Sequence, residues 1–232
     1  MHRGVTLQIS TPCAVKQREN LHRGGTTIAV VPLRARDLPL TERRILVYGV
    51  TGSGKSTAAT RIAAATGLPL HLVDELTWLP GWVPVDDDVQ RERFAAIVAA
   101  DEWVLDTAYA AWKDLVLQRC QLVVGLDYPR WLSLARLVRR TLIRLVDRRP
   151  ICNGNVESLR GTLSRDSILV WHFRSFSRKR ARMRAWAASE DVPILLFRRP
   201  AELERWLASL ERDVDRSSPS TPTPTPTPGP VR

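Results

Sequence analysis

Five short apolar segments, separated by helix-forming stretches, limit most strongly what this chain can fold into. They are residues 44–48, 70–73, 103–105, 122–126 and 192–197. Each is almost continuously apolar, which is typical of strands buried on both faces of a parallel sheet. Between them, the stretch 56–66 is rich in alanine, and the stretch 89–100 carries apolar residues at helical spacing. The sequence therefore predicts a three-layer α/β/α fold, with helices on both faces of a parallel sheet.

The first predicted strand runs into a glycine-rich motif, and a helix-forming segment follows the motif. It reads GVTGSGKST and satisfies the phosphate-binding pattern G-x-x-x-x-G-K-[ST]. Glycines let the backbone curl so that successive N–H groups point at phosphate oxygens, and the start of the helix adds partial positive charge. We therefore predict an ATP or GTP site, in which Lys55 reaches the β and γ phosphates and the Ser56 hydroxyl ligates Mg²⁺. The predicted nucleotide-binding residues are Gly49, Val50, Thr51, Gly52, Ser53, Gly54, Lys55, Ser56 and Thr57.

Aspartates follow three of the predicted strands. Because ligands bind at the carboxyl ends of the strands in open α/β sheets, each aspartate is a candidate site residue. Asp106 is predicted to support Mg²⁺ through its water shell, and Asp127 is the alternative for that role. Asp74 opens the segment DELTWLPGW, which contains Trp78 and Trp82, and is predicted to bind or activate an acceptor hydroxyl. The competing interpretation is that these aspartates cap turns and that the tryptophan pair supports a loop from the core.

Positive charge is concentrated in one part of the chain. The whole sequence has 35 Lys and Arg against 24 Asp and Glu, which gives a net charge of +11. Residues 130–184 contain 15 of those basic residues and only 3 acidic ones. Within this stretch, Arg136, Arg140 and Arg144 recur at every fourth position and therefore share one face of a helix.

The arginine-rich stretch is interpreted as a lid. Arg174, Arg178 and Arg182 repeat the four-residue spacing on the other side of the turn at residues 153–155. Guanidinium groups stabilise the charge that spreads over a transferring phosphoryl group. The first set, at positions 136, 140 and 144, is therefore predicted to close over the phosphates. Two alternatives stay open, a solvated basic face and a patch that binds the backbone of a nucleic acid.

Composition divides the chain into three parts. Residues 1–42 show no sustained period and are predicted to form a flexible extension. Residues 43–212 form the predicted domain, with an acceptor-binding region at 74–103 and the lid region at 131–186. Residues 213–232 contain a Thr-Pro repeat, and alternating proline builds neither a helix nor an interior strand. That end of the chain is therefore predicted to be a disordered tail.

Three further features concern cysteines, membranes and histidines. Cys13, Cys120 and Cys152 have no metal-ligand spacing and do not predict a disulfide scaffold. No apolar run approaches the roughly 18 residues that span a bilayer, and the N-terminus does not resemble a signal peptide. We therefore predict a cytoplasmic protein without a membrane partner. His71 and His172 stand alone in the sequence and are predicted to be core or surface residues rather than catalytic ones.

The order of these motifs resembles that of the adenylate kinase-like P-loop proteins. The segments GVTGSGKST, LVDELTWLPGW, WVLD and LDYPRW, followed by an arginine-rich helix, are most similar to the group known as DNA topology modulation proteins. The resemblance covers about 44–210. It implies a five-stranded parallel sheet, an acceptor region after the second strand, and a lid near the arginines. It also implies ATP contacts by Gly52, Gly54, Lys55, Ser56 and Thr57, with Asp106 supporting Mg²⁺.

Together these features predict an ATP-dependent phosphotransferase, a kinase that acts on a nucleotide or another small molecule. In the group it resembles, the aspartate after the third strand is usually followed by Gly-Asn, whereas here Asp106-Thr-Ala-Tyr109 occurs, so the acceptor is left open. The alternative function is an ATP-binding regulatory or nucleic-acid-associated protein with little kinase activity. A third possibility is a P-loop protein that hydrolyses ATP without a small acceptor.

Overall fold

A five-stranded parallel sheet lies at the centre of the structure, a computed structural model that describes residues 40–147, 150–157, 167–189 and 193–217. In chain order the strands are β1 (Arg44–Gly49), β2 (Leu70–His71), β3 (Trp78–Leu79), β4 (Val83–Pro84), β5 (Trp103–Leu105), β6 (Leu122–Leu126) and β7 (Ile194–Phe197). The central sheet has the order β2–β5–β1–β6–β7, and every neighbouring pair in it is parallel. The predicted α/β fold with a five-stranded parallel sheet is confirmed.

Helices cover both faces of this sheet. In chain order those of the described residues are α1 (Lys55–Thr66), α2 (Val73–Thr77), α3 (Asp87–Ala99), α4 (Lys113–Arg119), α5 (Arg130–Asp147), α6 (Ile168–Ala188) and α7 (Pro200–Ser217). Successive residues of a strand point to opposite faces, and β1 shows this clearly. Ile45 and Val47 pack with α1 and α7 in one apolar cluster. Leu46 and Tyr48 pack with α2, α3, α4 and α6 in the other. The result is the predicted three-layer arrangement.

The second strand is shorter than predicted. Residues 70–73 were expected to be extended, but β2 ends at His71, and Val73 is already the first residue of α2. The reason is a side chain, because the amide of Val73 donates a 2.9 Å hydrogen bond to Asp106 Oδ1. That amide is therefore not available for a longer strand ladder. As a consequence Asp74 lies in the first turn of a helix and not at the end of a strand.

A small antiparallel hairpin, β3–β4, follows α2 directly. Trp78 pairs with Pro84 across it, and its turn holds Gly81 and Trp82 in left-handed conformations with φ of 79° and 60°. The rings of Trp78 and Trp82 meet edge to face, with centroids 6.0 Å apart. The paired strands of this segment were not predicted from the sequence. The hairpin forms part of the proposed acceptor-binding region.

The predicted ends of the domain lie close to the limits of the described residues. Helix α7 is described as far as Ser217, past position 212, and the alternating prolines begin at Pro219. The rest of the predicted tail lies outside the described residues, as does most of the predicted extension at 1–42. Within the described ranges, no helix is long and apolar enough to cross a membrane.

Candidate active site

The glycine-rich motif forms a tight loop between β1 and α1. Gly52 and Gly54 have left-handed backbones, with φ of 81° and 95°, and the amide of Ser53 donates to Val50 O at 3.2 Å. A Cβ atom at Gly52 would lie only 2.3 Å from the carbonyl oxygen of Ser133 in α5. Glycine is thus required at position 52 both by its backbone conformation and by the neighbouring helix. The first amides of α1 follow this loop, as in a phosphate-binding site.

Lys55 begins α1 and lies half-buried beside the loop. Its Nζ donates a 3.1 Å hydrogen bond to Val50 O. Burial lowers the pKa of Lys55, Asp106 and Asp74 raise it, and Arg140 lowers it. These electrostatic interactions mean that four residues singled out from separate parts of the sequence lie in one charged neighbourhood.

Ser56 and Asp106 are in direct contact next to Lys55. The Ser56 hydroxyl donates a 2.6 Å hydrogen bond to Asp106 Oδ2, while Asp106 Oδ1 accepts from the amide of Val73. Asp106 follows β5 and is only 4% exposed, so its carboxylate is held in one orientation. A hydroxyl and a carboxylate are hard oxygen ligands of the kind Mg²⁺ prefers. The donor set therefore fits a magnesium ion that also binds nucleotide phosphates.

The alternative aspartate lies elsewhere. Asp127 follows β6 and is buried, and its carboxylate accepts hydrogen bonds from Arg180 Nε at 2.5 Å and from Arg184 Nε at 3.2 Å. Both arginines belong to α6. Asp127 is therefore engaged in an ion-pair cluster that joins the sheet to α6, whereas Asp106 contacts the residue expected to ligate the metal. Across the described ranges, no group of three or more His, Cys, Asp or Glu forms a separate metal site.

Asp74 lies on the other side of the charged neighbourhood, in the first turn of α2. Its Oδ1 atom accepts a hydrogen bond from the hydroxyl of Tyr109, which belongs to the loop after β5. Burial raises the pKa of Tyr109, and the charge of Asp74 raises it further, so this phenol remains a hydrogen-bond donor. The exposed carboxylate of Asp74 can accept a proton or a hydrogen bond from a bound molecule.

The three arginines of α5 that were predicted to be site residues occupy different environments. Arg136 donates from Nη1 to Ser53 O at 3.3 Å and therefore contacts the phosphate loop itself. Arg144 pairs with Glu157 at 2.9 Å. Between them, Arg140 has its pKa lowered by burial and then by Arg144, while Glu157 and Asp74 raise it. One helix face thus spans from the loop at Ser53 to the segment that contains Glu157.

Helix α6 contributes two residues to the site that the sequence did not identify as functional. His172 is fully buried, and its Nδ1 lies 3.0 Å from the carbonyl oxygen of Thr51. Because a carbonyl only accepts, Nδ1 carries the proton, and burial lowers the pKa of His172. Lys179 lies about two turns further along the same face of the helix. Its Nζ is 5.9 Å from the ring centroid of Tyr48. Burial, followed by the charge of Lys55, lowers the pKa of Lys179 to about 7.

The second predicted arginine stripe divides in the structure. Arg182 donates from Nη1 to the hydroxyl of Tyr48 at 3.0 Å, whereas Arg174 and Arg178 are exposed. The signal for the residues of α6 at the site was available in the sequence, because positions 172, 175, 176, 179 and 183 have helical spacing and become the face toward the sheet. That spacing indicates a face, but it does not say which of the charged residues beside it turns inward.

Comparison with known proteins gives likeness only among solved structures. No protein-family profile matches the chain, and no curated protein matches it. A gluconokinase from Sinorhizobium meliloti 1021 is 18% identical over 76% of this chain and 97% of its own, with a TM-score of 0.42. A sugar kinase from Janibacter sp. HTCC2649 is 19% identical over 75% and 95%, with a TM-score of 0.42. A shikimate kinase from Acinetobacter baumannii is 17% identical over 77% and 96%, with a TM-score of 0.44.

The fold assignment rests on the sheet order and on the loop geometry at Gly52 and Gly54, and not on these similarities. The resemblance to the DNA topology modulation group stays a prediction.

Proposed function

We propose that this protein is an ATP-dependent phosphotransferase of the P-loop class that acts on a small-molecule acceptor. The observation that carries the proposal is the hydrogen bond from Ser56 to Asp106, next to the left-handed glycines 52 and 54. A hydroxyl and a carboxylate beside a phosphate-binding loop are the protein groups that metal-assisted phosphoryl transfer uses. Lys55 adds a positive charge at the same place.

The nucleotide would bind at the glycine-rich loop, from Gly49 to Thr57. Lys55 would exchange its hydrogen bond with Val50 O for contacts with the β and γ phosphates, which would give the half-buried ammonium group a partner of opposite charge. Mg²⁺, held by Ser56 and by Asp106 through water, would neutralise charge on the bound phosphates. Arg136, already on Ser53 O, is close enough to the loop to contact the same phosphates.

The acceptor would bind in the region of residues 74–103. Its hydroxyl would replace Tyr109 as a donor to Asp74, which then acts as the general base. As the acceptor oxygen bonds to the γ-phosphorus, the bond between the γ-phosphorus and the β–γ bridging oxygen breaks. The hydroxyl proton passes to Asp74, and ADP is the leaving group. Arg140 lies within electrostatic range of Asp74, and we assign it to charge stabilisation during this transfer.

The lid region, which we place at residues 131–186, supplies the remaining positive groups. Arg144 is paired with Glu157 and would need to leave that partner to reach a phosphate. The three arginines of α5 assigned to the site therefore have different roles in the proposal. Arg136 contacts the loop, Arg140 faces the acceptor side, and Arg144 is held by the neighbouring segment.

An ATP-consumption screen tests the function. Purified protein is supplied with ATP and Mg²⁺ and with one candidate acceptor at a time from the nucleosides, nucleotides, sugars and hydroxy acids. The expected result is ADP formation that depends on one chemical class of acceptor. A parallel assay without acceptor measures simple ATP hydrolysis. Absence of acceptor-dependent ADP formation across all four classes would contradict the proposal.

A second candidate function is binding to a nucleic-acid backbone without kinase activity. Arg139, Arg174 and Arg178 are exposed on the two helices of the arginine-rich stretch, and their charges are not needed for the proposed reaction. Filter binding with DNA and RNA at two salt concentrations tests this candidate. Backbone contacts predict a steep fall in affinity with salt, because each contact releases counterions.

A further inference from the structure

Residues 150–157, which connect toward α6, include a tight turn that contacts the acceptor-binding region. The amide of Ile151 donates to Asn155 O at 2.8 Å, and the two residues form an antiparallel bridge. Between them, Cys152, Asn153 and Gly154 all have positive φ, at 43°, 62° and 82°. Asparagine tolerates this conformation better than most residues, and glycine adopts it freely. The turn thus holds two asparagine side chains, 153 and 155, in fixed directions.

Asn153 binds the end of α2. Its Nδ2 donates to the carbonyl oxygens of Glu75 at 2.7 Å and of Trp78 at 2.8 Å. The last carbonyls of a helix lack partners within the helix, so a side-chain donor at this place satisfies groups that would otherwise depend on water. Glu75 is adjacent to Asp74 in the same short helix. Asn153 therefore stabilises the element that carries the proposed general base.

Asn155 binds the hairpin β3–β4 from the same turn. Its Nδ2 donates to Leu79 O at 3.0 Å, and its Oδ1 accepts from the amide of Trp82 at 2.8 Å. The side chain pairs with the hairpin as a backbone amide would, and it is only 3% exposed. The indole of Trp82 adds a 3.3 Å hydrogen bond to the carbonyl oxygen of Val156. Two residues of the turn and one after it therefore bind the first strand of the hairpin and its connecting turn.

The hairpin itself is small, and at its base the amide of Val85 donates to Thr77 O at 2.9 Å. Each of its strands is two residues long, and an isolated two-stranded hairpin is at best marginally stable in water. Leu79 and Val83 are about half exposed, at 47% and 52%, so they bury little apolar surface. The hydrogen bonds from the asparagines therefore help to fix the position of the hairpin. They are also neutral hydrogen bonds with strict geometry, so they specify one arrangement.

The same turn faces the charged groups of the proposed site. Cys152 is partly buried, and burial, followed by the charges of Asp74 and Glu75, raises the pKa of its thiol to about 11. Asp106 is within electrostatic range of the same thiol. The turn that holds the hairpin therefore lies within electrostatic range of both Asp74 and Asp106.

We propose that Asn153 and Asn155 are positioning residues that determine how the acceptor is bound, by fixing α2 and the β3–β4 hairpin against the turn at 151–155. The inference rests on the proposed phosphotransferase function. It goes further by assigning the acceptor-binding geometry to two side chains outside the region of residues 74–103. The hydrogen bonds of both side chains go to α2, the hairpin and their own turn, so we expect their effect on the acceptor side of the site.

Two variants separate this role from a general effect on folding. Asn153→Gly removes both donated hydrogen bonds but keeps a residue that adopts φ of 62° without strain. Asn155→Ala removes the paired hydrogen bonds to the hairpin. Gln118→Ala, at an exposed position of α4, is the matched control for loss of a side-chain amide. We expect the acceptor KM to rise at least about tenfold in both asparagine variants, because the loss of a buried hydrogen bond changes a binding equilibrium by about that factor. The ATP KM should stay within about twofold of the wild-type value, since the phosphate loop is unchanged.

A measurement without acceptor keeps the inference separate from the proposed function. Hydrogen exchange of residues 75–84 is followed in the full chain, with β1 as the internal reference. We expect faster exchange at 75–84 in both asparagine variants, unchanged exchange in β1, and no change in Gln118→Ala.

Unchanged exchange at 75–84 would overturn the inference even if the protein proves to be a kinase. Faster exchange with an unchanged acceptor KM would overturn it as well, and so would an equal rise in the KM of ATP and acceptor. If no acceptor supports turnover in the wild type, the proposed function fails, and the exchange result alone then decides whether the asparagines fix the hairpin.

Discussion

The hydroxyl of Ser56 lies 2.6 Å from Asp106 Oδ2, although the two residues are 50 positions apart in the chain. This contact joins the start of α1 to the end of β5, on the side of the sheet where the phosphate loop lies. It can form because β5 and β1 are parallel neighbours, so their carboxyl ends meet at the same edge. The pairing of a loop serine with a strand-end aspartate is the structural basis for the proposed magnesium-dependent reaction.

Asp106→Asn tests the metal-supporting role. The amide keeps an acceptor for Val73 N and nearly the same volume, but it removes the negative charge. We expect the apparent affinity for Mg²⁺ to fall about 10- to 100-fold, as is usual when a group that supports a metal ligand is changed. Turnover at a series of Mg²⁺ concentrations measures it. Asp101→Asn, at an exposed position, is the charge-matched control. Equal Mg²⁺ dependence in wild type and Asp106→Asn would contradict the role.

Gly52→Ala tests the contact between the phosphate loop and α5. Both Gly52 and Gly67 have left-handed backbones, with φ of 81° and 71°, but a Cβ at Gly52 would meet Ser133 O at 2.3 Å, whereas a Cβ at Gly67 has nothing within 4 Å. Gly67→Ala should therefore lower the free energy of unfolding by about 1 kcal/mol and leave nucleotide affinity unchanged. Gly52→Ala should cost about 3 kcal/mol or more and also abolish nucleotide binding. Urea unfolding and calorimetric titration with ATP measure the two effects, and equal behaviour of the pair would refute the steric argument.

His172 is expected to hold the phosphate loop through its bond to Thr51 O. His172→Leu leaves that carbonyl without its donor, and we expect ATP affinity to fall roughly tenfold. In His172→Asn the side-chain amide can replace Nδ1–H, so affinity should return toward the wild-type value. Calorimetric titration of both variants checks this. A loss of affinity that is the same in Leu and Asn variants would show that the hydrogen bond is not what matters.

Lys179 predicts a defined pH dependence of stability. Its pKa is lowered from 10.5 to about 7 in the folded protein, mainly by burial. Between pH 7 and 10.5 the unfolded chain therefore binds a proton at this site that the folded protein does not bind, and stability from this group rises with pH. The stabilising contribution is complete above 10.5 and is lost as the pH falls toward 7. Urea unfolding of wild type and Lys179→Met across this range should give a difference that grows with pH. Parallel curves would contradict the lowered pKa.

Much of the fold and part of the site could be predicted from the sequence. The strands at 103–105 and 122–126 were predicted with their observed bounds, because continuous apolar runs between turns have few other structures available. The end of the second strand was predicted wrongly, because the amide of Val73 binds a side chain 33 positions away. No local pattern contains that information.

The acceptor side of the site was the least predictable. Tyr109 reaches the site through the carboxylate of Asp74, 35 positions earlier in the chain, and its sequence neighbours give no sign of it. The helical spacing of His172 and Lys179 indicated a shared face, but not that this face meets Thr51 and Tyr48. The asparagines at 153 and 155 were visible as a turn, but their partners lie more than 70 positions earlier in the chain. Periodicity predicts which residues share a helix face, and tertiary packing decides what that face meets.

The most direct test of the central claim is acceptor-dependent ATP turnover in wild type and in Lys55→Ala, with Lys113→Ala as the matched control. Lys55 is the one lysine of the phosphate-binding motif, and Lys113 lies at the start of α4, away from that motif. We expect acceptor-dependent ADP formation in wild type and in Lys113→Ala, and its loss in Lys55→Ala together with weaker ATP binding. Unchanged turnover in Lys55→Ala would contradict the account.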